Sequence, residues 1–178
     1  ADSASVLIII GLFGLSLAVM LINYNSMRKW EKKTAAERDH ARVIAFTDPL
    51  TGVKSKNAFA EQERDTEALV AEGKAEAFGV IVCDVNGLKK INDTLGHKAG
   101  DDYIRSACDM LCEHYKHSPV FRIGGDEFVV FLQGHDFDAR EELLSDINAE
   151  IEANLAAGKV VASLGMAVYD PAADQSFH

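Results

Sequence analysis

Apolar and polar positions divide the chain into three parts. Residues 5–24 carry no charged side chain, and about twenty apolar residues are long enough to cross a bilayer as a helix. Residues 27–46 are charged and contain neither proline nor glycine, which favours an exposed helix. From Thr47 onward, short apolar runs alternate with amphipathic stretches. We therefore predict a transmembrane helix over residues 1–24, a helical linker over 25–46 and a globular domain over 47–178.

Two other interpretations of the apolar run are open. A cleaved signal peptide needs a basic residue ahead of the apolar core, but Asp2 is the only charge there. A buried core helix is the other alternative, but an apolar surface on all sides over this length favours a membrane helix. Four basic residues follow the run: Arg28, Lys29, Lys32 and Lys33. Because positive charge marks the cytoplasmic side of a membrane segment, we expect the rest of the chain to lie in the cytoplasm.

The linker has a weak heptad pattern. Five of its positions fall near a three-four repeat: Met27, Trp30, Thr34, Ala41 and Ile44. Glu37 occupies the remaining core position, where an apolar side chain is expected. A dimerising coiled coil and a solvated helix are both open from this pattern.

The globular part alternates strand and helix patterns. Residues 78–83 are apolar and rich in β-branched side chains, as in a buried strand. Residues 120–123 and 128–132 are two short β-prone runs joined by a glycine-containing turn, and 160–168 is a further strand. Helices are predicted with inward-facing Phe59, Leu69 and Val70, then Ile104, Ala107, Cys108, Leu111 and Tyr115, then Leu144, Ile147, Ile151 and Leu155. The order indicates an α+β fold, an antiparallel sheet covered by helices.

Composition suits one ordinary domain with an accessory segment, since 48% of the 178 residues are hydrophobic and 26% are charged. The formal net charge of -10 argues against binding to a nucleic-acid polymer, which requires a basic face. Cys83, Cys108 and Cys112 are odd in number and lack CxxC spacing, so we expect reduced structural thiols.

The turn between the two β-prone runs carries candidate chemistry. Gly124 and Gly125 precede Asp126 and Glu127, so a tight hairpin would hold two carboxylates together. Adjacent carboxylates raise each other's cost of ionisation unless a cation lies nearby. A divalent metal that carries phosphate oxygens is one such cation, and an ordinary solvated turn is the alternative.

Three motifs resemble the GGDEF family of bacterial diguanylate cyclases, which condense two GTP molecules into cyclic di-GMP. The hairpin itself reads GGDEF, and Asp48 to Gly52 is similar to the family's DxLTG motif. The stretch from Asp84 to Asp101 resembles the family's nucleotide-binding motif, with Leu88 where many members have Phe. The resemblance extends over about residues 47–170 and implies a ferredoxin-like fold, similar to nucleotidyl cyclases and polymerase palms.

The resemblance implies roles for individual residues. The family's metal ligands match Asp84, the carbonyl of Val85, Asp126 and Glu127, which implies Mg²⁺ or Mn²⁺. Catalytic roles fall on Asp126, Glu127 and Lys89, with Lys89 stabilising the transition state. Substrate-binding roles fall on Asn92 and Asp101 as guanine readers, His97 as a loop-ordering residue, and Gly124 and Gly125. Without the motif, Lys89 is a solvated lysine, Asn92 a turn residue and Asp101 a helix N-cap. Arg122 either reaches phosphate or flanks the hairpin.

Two departures from the family pattern stand out. Where many members carry an RxxD product-inhibition motif, this chain reads Tyr115-Lys116-His117-Ser118, so we expect no feedback site there. The family also continues with a C-terminal helix carrying Lys and Arg that bind the triphosphate. We expect the sequence to be a fragment that lacks this helix, so that GTP binding and turnover by the fragment alone are weak or absent.

The family reading implies a homodimer, since each domain holds one GTP. We expect a protein anchored in the bacterial inner membrane through its N-terminal helix, with a cytoplasmic GGDEF domain and an upstream sensor. The alternative is a non-catalytic GGDEF module that acts as a GTP receptor or dimerisation adaptor.

Overall fold

The structure is a computed structural model and describes residues 2–174, with the side chains of residues 5–10 and Ala18 outside that description. The chain divides into two units between Val43 and Ile44. A single helix, α1 (Ser3–Phe46), contains both the apolar run and the predicted linker. Within it the Thr34 hydroxyl donates to the Trp30 carbonyl at 3.0 Å, and Lys33 lies 3.8 Å from Glu37. The predicted helical linker is therefore helical.

The predicted transmembrane helix over residues 1–24 is not supported. Part of it, the side chains of residues 5–10 and Ala18, lies outside the described residues. Among the residues that are described, none of the helices combines the length and the apolar character that a bilayer crossing requires.

The second unit contains five strands and five helices in the described residues. In chain order they are β1 (Lys54–Ser55), α2 (Lys56–Ala71), β2 (Phe78–Val85), α3 (Leu88–Leu95), α4 (His97–His114), β3 (Val120–Arg122), β4 (Glu127–Leu132), α5 (Gly134–Asp138), α6 (Arg140–Ala157) and β5 (Ala162–Tyr169). The α+β class and the covering helices agree with the prediction.

The sheet has the order β1-β3-β4-β2-β5. Strand β4 lies at its centre, between β3 and β2, and pairs antiparallel with both, while β2 also pairs antiparallel with β5. The prediction of a purely antiparallel sheet is wrong, because β1 pairs parallel with β3 through Lys54 and Ser55. A strand of two residues has no periodicity that a sequence could display.

Helices cover both faces of the sheet. On one face Ile81, Cys83 and Val85 of β2 pack into a core with α4 and α6. On the other face α2 covers an aromatic cluster, in which Phe78 stacks on Phe131 at 4.9 Å and on Tyr169 at 4.8 Å between ring centroids. Because strand side chains alternate, Val82 and Asp84 lie on this second face, where both are exposed.

Two of the predicted core leucines are exposed. Leu155 is 68% exposed because the buried stripe of α6 runs through Ile147, Ile151 and Asn154, one position away. Leu69 is exposed for the same reason, since the buried stripe of α2 ends at Val70. The three cysteines are free thiols, as predicted, and burial raises the pKa of Cys83 to about 12.

Candidate active site

Asp84 and Glu127 lie directly opposite each other on neighbouring strands. The register of β2 and β4 pairs them, and the register of β2 and β5 places Ser163 on the other side of Asp84. Side chains of directly opposed residues share a face, with Cβ atoms about 4.5–5.5 Å apart. Both carboxylates are exposed. The ladder therefore sets two acidic side chains beside each other at an open end of the sheet.

Asp126 is attached to the end of β2 through its backbone. The Val85 amide donates to the Asp126 carbonyl at 2.9 Å, and Ile123 N–H donates to the Glu127 carbonyl at 3.0 Å. Asp126 occupies the hairpin turn, whereas Glu127 is already the first residue of β4. The hairpin prediction is confirmed, and the backbone places Asp84, Val85, Asp126 and Glu127 at the same end of β2 and β4.

Gly124 provides space for the Glu127 side chain. A Cβ atom at Gly124 would meet Glu127 Oε2, and it would lie 3.2 Å from both Cβ and Cδ of Glu127. Neither Gly124 nor Gly125 has a positive φ. The hairpin glycine at position 124 is therefore required for close approach rather than for a left-handed backbone.

Arg122 links the backbone of the hairpin turn to the side chain of Asp48. Its Nη2 donates to the Gly125 carbonyl at 2.7 Å, and its Nη1 lies 3.2 and 3.3 Å from the two carboxylate oxygens of Asp48. Asp48 also accepts hydrogen bonds from the amide and the hydroxyl of Thr51, at 2.9 and 2.7 Å. Burial by itself raises the pKa of Asp48, but the bonds from Thr51 and Arg122 outweigh it and hold the pKa below its ordinary value. Of the two roles considered for Arg122, these contacts favour support of the hairpin.

The loop that follows β2 is fixed by side chains from distant parts of the chain. Asn86 Nδ2 donates to the Ser163 hydroxyl at 2.8 Å. The Tyr103 hydroxyl, on α4, donates to the Asn86 carbonyl at 3.1 Å and accepts from the Val161 amide at 3.1 Å. Sequence reasoning did not single out Tyr103; its only signal is a tyrosine two residues after Asp101 on an otherwise amphipathic helix.

The predicted guanine readers lie near each other on α3 and α4. The Asn92 side chain packs against Gly100, where a Cβ atom would meet Asn92 Oδ1, and Asp101 is the next residue. The alternative role of Asp101 as a helix N-cap is wrong, because α4 begins at His97, after Gly96 with φ of 85°. Asp101 is exposed in the second turn, so its side chain is not an N-cap.

Lys89 and His97 occupy the first turns of two helices. Lys89 is the second residue of α3, which begins directly after Gly87, and its side chain is exposed. His97 is the first residue of α4 and is also exposed. Both therefore lie near the loop between β2 and α4, on the stretch that resembles a nucleotide-binding motif.

Within the part of the chain that the structure describes, the acidic residues at the sheet end have no basic partner. Among residues 2–174, no Lys or Arg forms an ion pair with Asp84, Asp126 or Glu127. Like charges directly opposite in a sheet are destabilising. An all-oxygen donor set of this kind fits a small, hard divalent cation such as Mg²⁺ or Mn²⁺.

Comparisons with known proteins agree with this geometry. Residues 45–178 match the family described as diguanylate cyclase, GGDEF domain. Diguanylate cyclase DgcP of Pseudomonas aeruginosa is 31% identical over 139 residues, which are 77% of this chain and 20% of DgcP. Diguanylate cyclase DgcS of Shewanella oneidensis is 36% identical over 102 residues, which are 57% of this chain and 34% of DgcS. This chain therefore spans a minor part of the length of either relative.

A solved structure shows the same fold. The coiled coil and GGDEF domain of DgcB from Caulobacter crescentus, in complex with c-di-GMP, has a TM-score of 0.64 to this chain at 24% identity. The match covers 84% of this chain and 85% of that one.

Proposed function

The chain belongs to the GGDEF-domain family of diguanylate cyclases, and we propose that it condenses two molecules of GTP into cyclic di-GMP. The observation that carries this proposal is the opposition of Asp84 and Glu127 across β2 and β4, with Asp126 bonded to Val85 at their end. All three carboxylates that the chemistry requires are present, on residues whose backbones are paired or consecutive at this end of the sheet. Relatives named diguanylate cyclases support the same general activity.

A divalent cation completes the proposed site. Asp84, Asp126 and Glu127, with the carbonyl of Val85, would hold Mg²⁺ or Mn²⁺. When bound, such an ion lowers the pKa of a hydroxyl and neutralises charge that develops on phosphate.

The side chains have separate tasks in the proposed reaction. In each of two condensations, the 3′-oxygen of one GTP bonds to the α-phosphorus of the other, the bond to the β-phosphate oxygen breaks, and pyrophosphate leaves. Asp126 accepts the hydroxyl proton, and Glu127 assists as ligand or base. Lys89, as a point charge on the first turn of α3, stabilises the phosphate in the transition state.

Residues of α3 and α4 recognise the guanine base in the proposed complex. An Asp101 carboxylate accepts the guanine N1 and N2 protons together, which adenine does not offer in that arrangement. Asn92, held against Gly100, supplies a further polar contact. His97 orders the loop, and Gly124 and Gly125 let the substrate approach the hairpin backbone.

Two copies of the chain are needed, because each domain holds one GTP and the product contains two. A two-fold axis would set the sites face to face. Helix α1 supports this geometry, since Met27, Trp30 and Ile44 are exposed on it and available to a second copy. Buried Tyr115 and Ser118 replace the family's RxxD pattern, so we propose that the product does not bind there. A bacterial inner-membrane location with the domain in the cytoplasm stays a prediction of the sequence.

The test is product formation from GTP and Mg²⁺, with the dimer confirmed by light scattering. We expect cyclic di-GMP from the unmodified protein and none from Asp126→Ala, whose folding and dimerisation stay intact. Asp65→Asn, on the exposed side of α2, is the control and should retain the activity. Replacing GTP by ATP tests Asp101. If a confirmed dimer binds GTP and forms no product, the cyclase proposal fails and the receptor alternative replaces it.

A further inference from the structure

Three potential metal ligands meet at the outer ends of the hairpin strands. His117 lies in the loop before β3, and His135 and Asp136 lie on α5, after β4. Their ligand atoms are all within 4.8 Å of one another. The two segments are held together here by backbone, since the Phe131 amide donates to the Pro119 carbonyl at 3.1 Å.

Asp136 is a buried carboxylate with an incomplete set of partners. Asp136 is 2% exposed. Its Oδ2 accepts the His117 backbone N–H at 2.9 Å, while its Oδ1 lies 3.9 Å from His135 Nδ1, beyond hydrogen-bond distance. Among residues 2–174, no Lys or Arg forms an ion pair with it. A buried carboxylate without a paired cation is costly, so the free side of Oδ1 is a place for a positive ion.

Both imidazoles have a ring nitrogen within 4.8 Å of a carboxylate oxygen of Asp136. The rings of His117 and His135 are 5.5 Å apart between centroids and inclined at 67°. The His135 side chain is 80% exposed, so it can turn without disturbing the core. The neighbouring His114 is not part of the group, because its Nε2 already pairs with Glu150 at 2.8 Å.

We propose that His117, His135 and Asp136 form a binding site for a divalent first-row transition metal of the Zn²⁺ class, with one coordination position left to water. Two imidazole nitrogens and one carboxylate oxygen are ligands that Zn²⁺ prefers, and three protein ligands are typical of an open zinc site. Ligand atoms in a tetrahedral zinc site lie roughly 3.3 Å apart, given bonds of about 2.0–2.1 Å. Binding therefore draws the exposed His135 ring inward.

This site is separate from the proposed catalytic site in position and in chemistry. Strand β4 leads from Glu127 to Leu132, so its length sets the two sites roughly 20 Å apart. The catalytic group offers only oxygen ligands, whereas this group offers imidazole nitrogen. A metal bound here ties the segment before β3 to the segment after β4 and so closes the open end of the hairpin. The inference does not depend on cyclase activity.

The experiment is a calorimetric titration of the full chain with ZnCl₂ in excess Mg²⁺, which occupies the oxygen-only site. We expect one zinc-binding event that His135→Ala weakens by about 100-fold or more, since loss of even an outer partner costs 10–100-fold. His40→Ala removes an exposed histidine of α1, outside the group, and should leave the affinity unchanged. Asp126→Asn should also leave it unchanged, because that change affects only the catalytic group.

Co²⁺ gives a second readout that does not depend on affinity. Bound at this site it should show the visible bands of a four-coordinate ion, and His135→Ala should abolish them. Asp136→Asn, which keeps an acceptor for the His117 amide, should abolish them as well while circular dichroism stays native. The proposal is overturned if His135→Ala binds Zn²⁺ as tightly as the unmodified protein does, or if Co²⁺ binds only in octahedral form.

Discussion

Arg122 and Asp48, which are 74 residues apart in the chain, form an ion pair next to the GGDEF hairpin. Arg122 Nη1 lies 3.2 and 3.3 Å from the two carboxylate oxygens of Asp48. The two side chains are 15% and 16% exposed. The same guanidinium donates to the Gly125 carbonyl, so the start of the domain and the turn of the hairpin share one cation. Asp48 of the first motif and Gly125 of the hairpin, which are remote in sequence, are thus connected through hydrogen bonds to the same Arg122 side chain.

Asp48→Asn should lower the free energy of unfolding by about 2 kcal/mol at neutral pH, the size of hydrogen bonds to a charged group. The folded pKa of Asp48 lies below its ordinary value of 3.8. Its contribution is therefore fully present above pH 3.8 and is lost as the pH falls through the folded pKa. Urea unfolding at a series of pH values measures this.

The difference between the unmodified protein and Asp48→Asn should shrink as the solution is acidified below about pH 4. Asp65→Asn, on an exposed face, is the control and should show no such convergence. A difference that stays constant down to pH 2 would mean that the charge of Asp48 contributes nothing to the pair.

Gly124→Ala should reduce turnover by about 100-fold, the loss that follows a misplacement of about 1 Å in a catalytic group. The added methyl meets Glu127 Oε2, and the Glu127 Cβ at 3.2 Å belongs to a paired strand and cannot move away. Steady-state rates of cyclic di-GMP formation measure the effect. Gly165→Ala places the same methyl in open space on β5, so it should leave turnover near normal.

Gly100→Ala should stabilise the protein but weaken its binding of GTP. Alanine inside a helix is about 1 kcal/mol more favourable than glycine, so α4 itself gains. The new Cβ displaces the Asn92 carboxamide, however, and the loss of one contact to guanine should raise the KM for GTP roughly tenfold. The melting temperature and the KM for GTP, measured on the same preparation, should therefore both rise; an unchanged KM would show that Asn92 does not contact guanine.

Tyr103→Phe should lower the free energy of unfolding by about 1–3 kcal/mol, because the Asn86 carbonyl and the Val161 amide both lose their partner. Since Asn86 follows the end of β2 that carries the proposed metal ligands, we also expect a weaker apparent affinity for Mg²⁺ in the cyclase reaction. The measurement is activity as a function of Mg²⁺ concentration. If the tyrosine is only a packing residue, stability falls and the Mg²⁺ dependence does not change.

The sequence predicted correctly those elements whose conformation depends on residues close to one another in the chain. The apolar, β-branched character of residues 78–83 predicted a strand that leads to Asp84, and the glycine-carboxylate turn predicted a hairpin that presents Asp126. These two elements are neighbours in the sheet. The exposed Leu155 and the start of α4 at His97 were missed, since each depends on one position within a turn of helix. The Arg122–Asp48 ion pair and the hydrogen bonds of Tyr103 to Asn86 and Val161 join residues that are far apart in the chain. A pattern of neighbouring residues does not predict such contacts.

The bond between Asn86 and Ser163 has a consequence for biosynthesis. It joins residues 77 positions apart, and it fixes the loop that follows Asp84. At about 5–20 residues per second, a ribosome needs about 4–15 s to extend the chain from one partner to the other. In the second half of that interval, after Asp126 and Glu127 have been made, the nascent chain carries all three acidic residues but lacks the contact that orders the loop after Asp84. Competence to bind nucleotide should therefore arise late in translation, after β5 has left the ribosome.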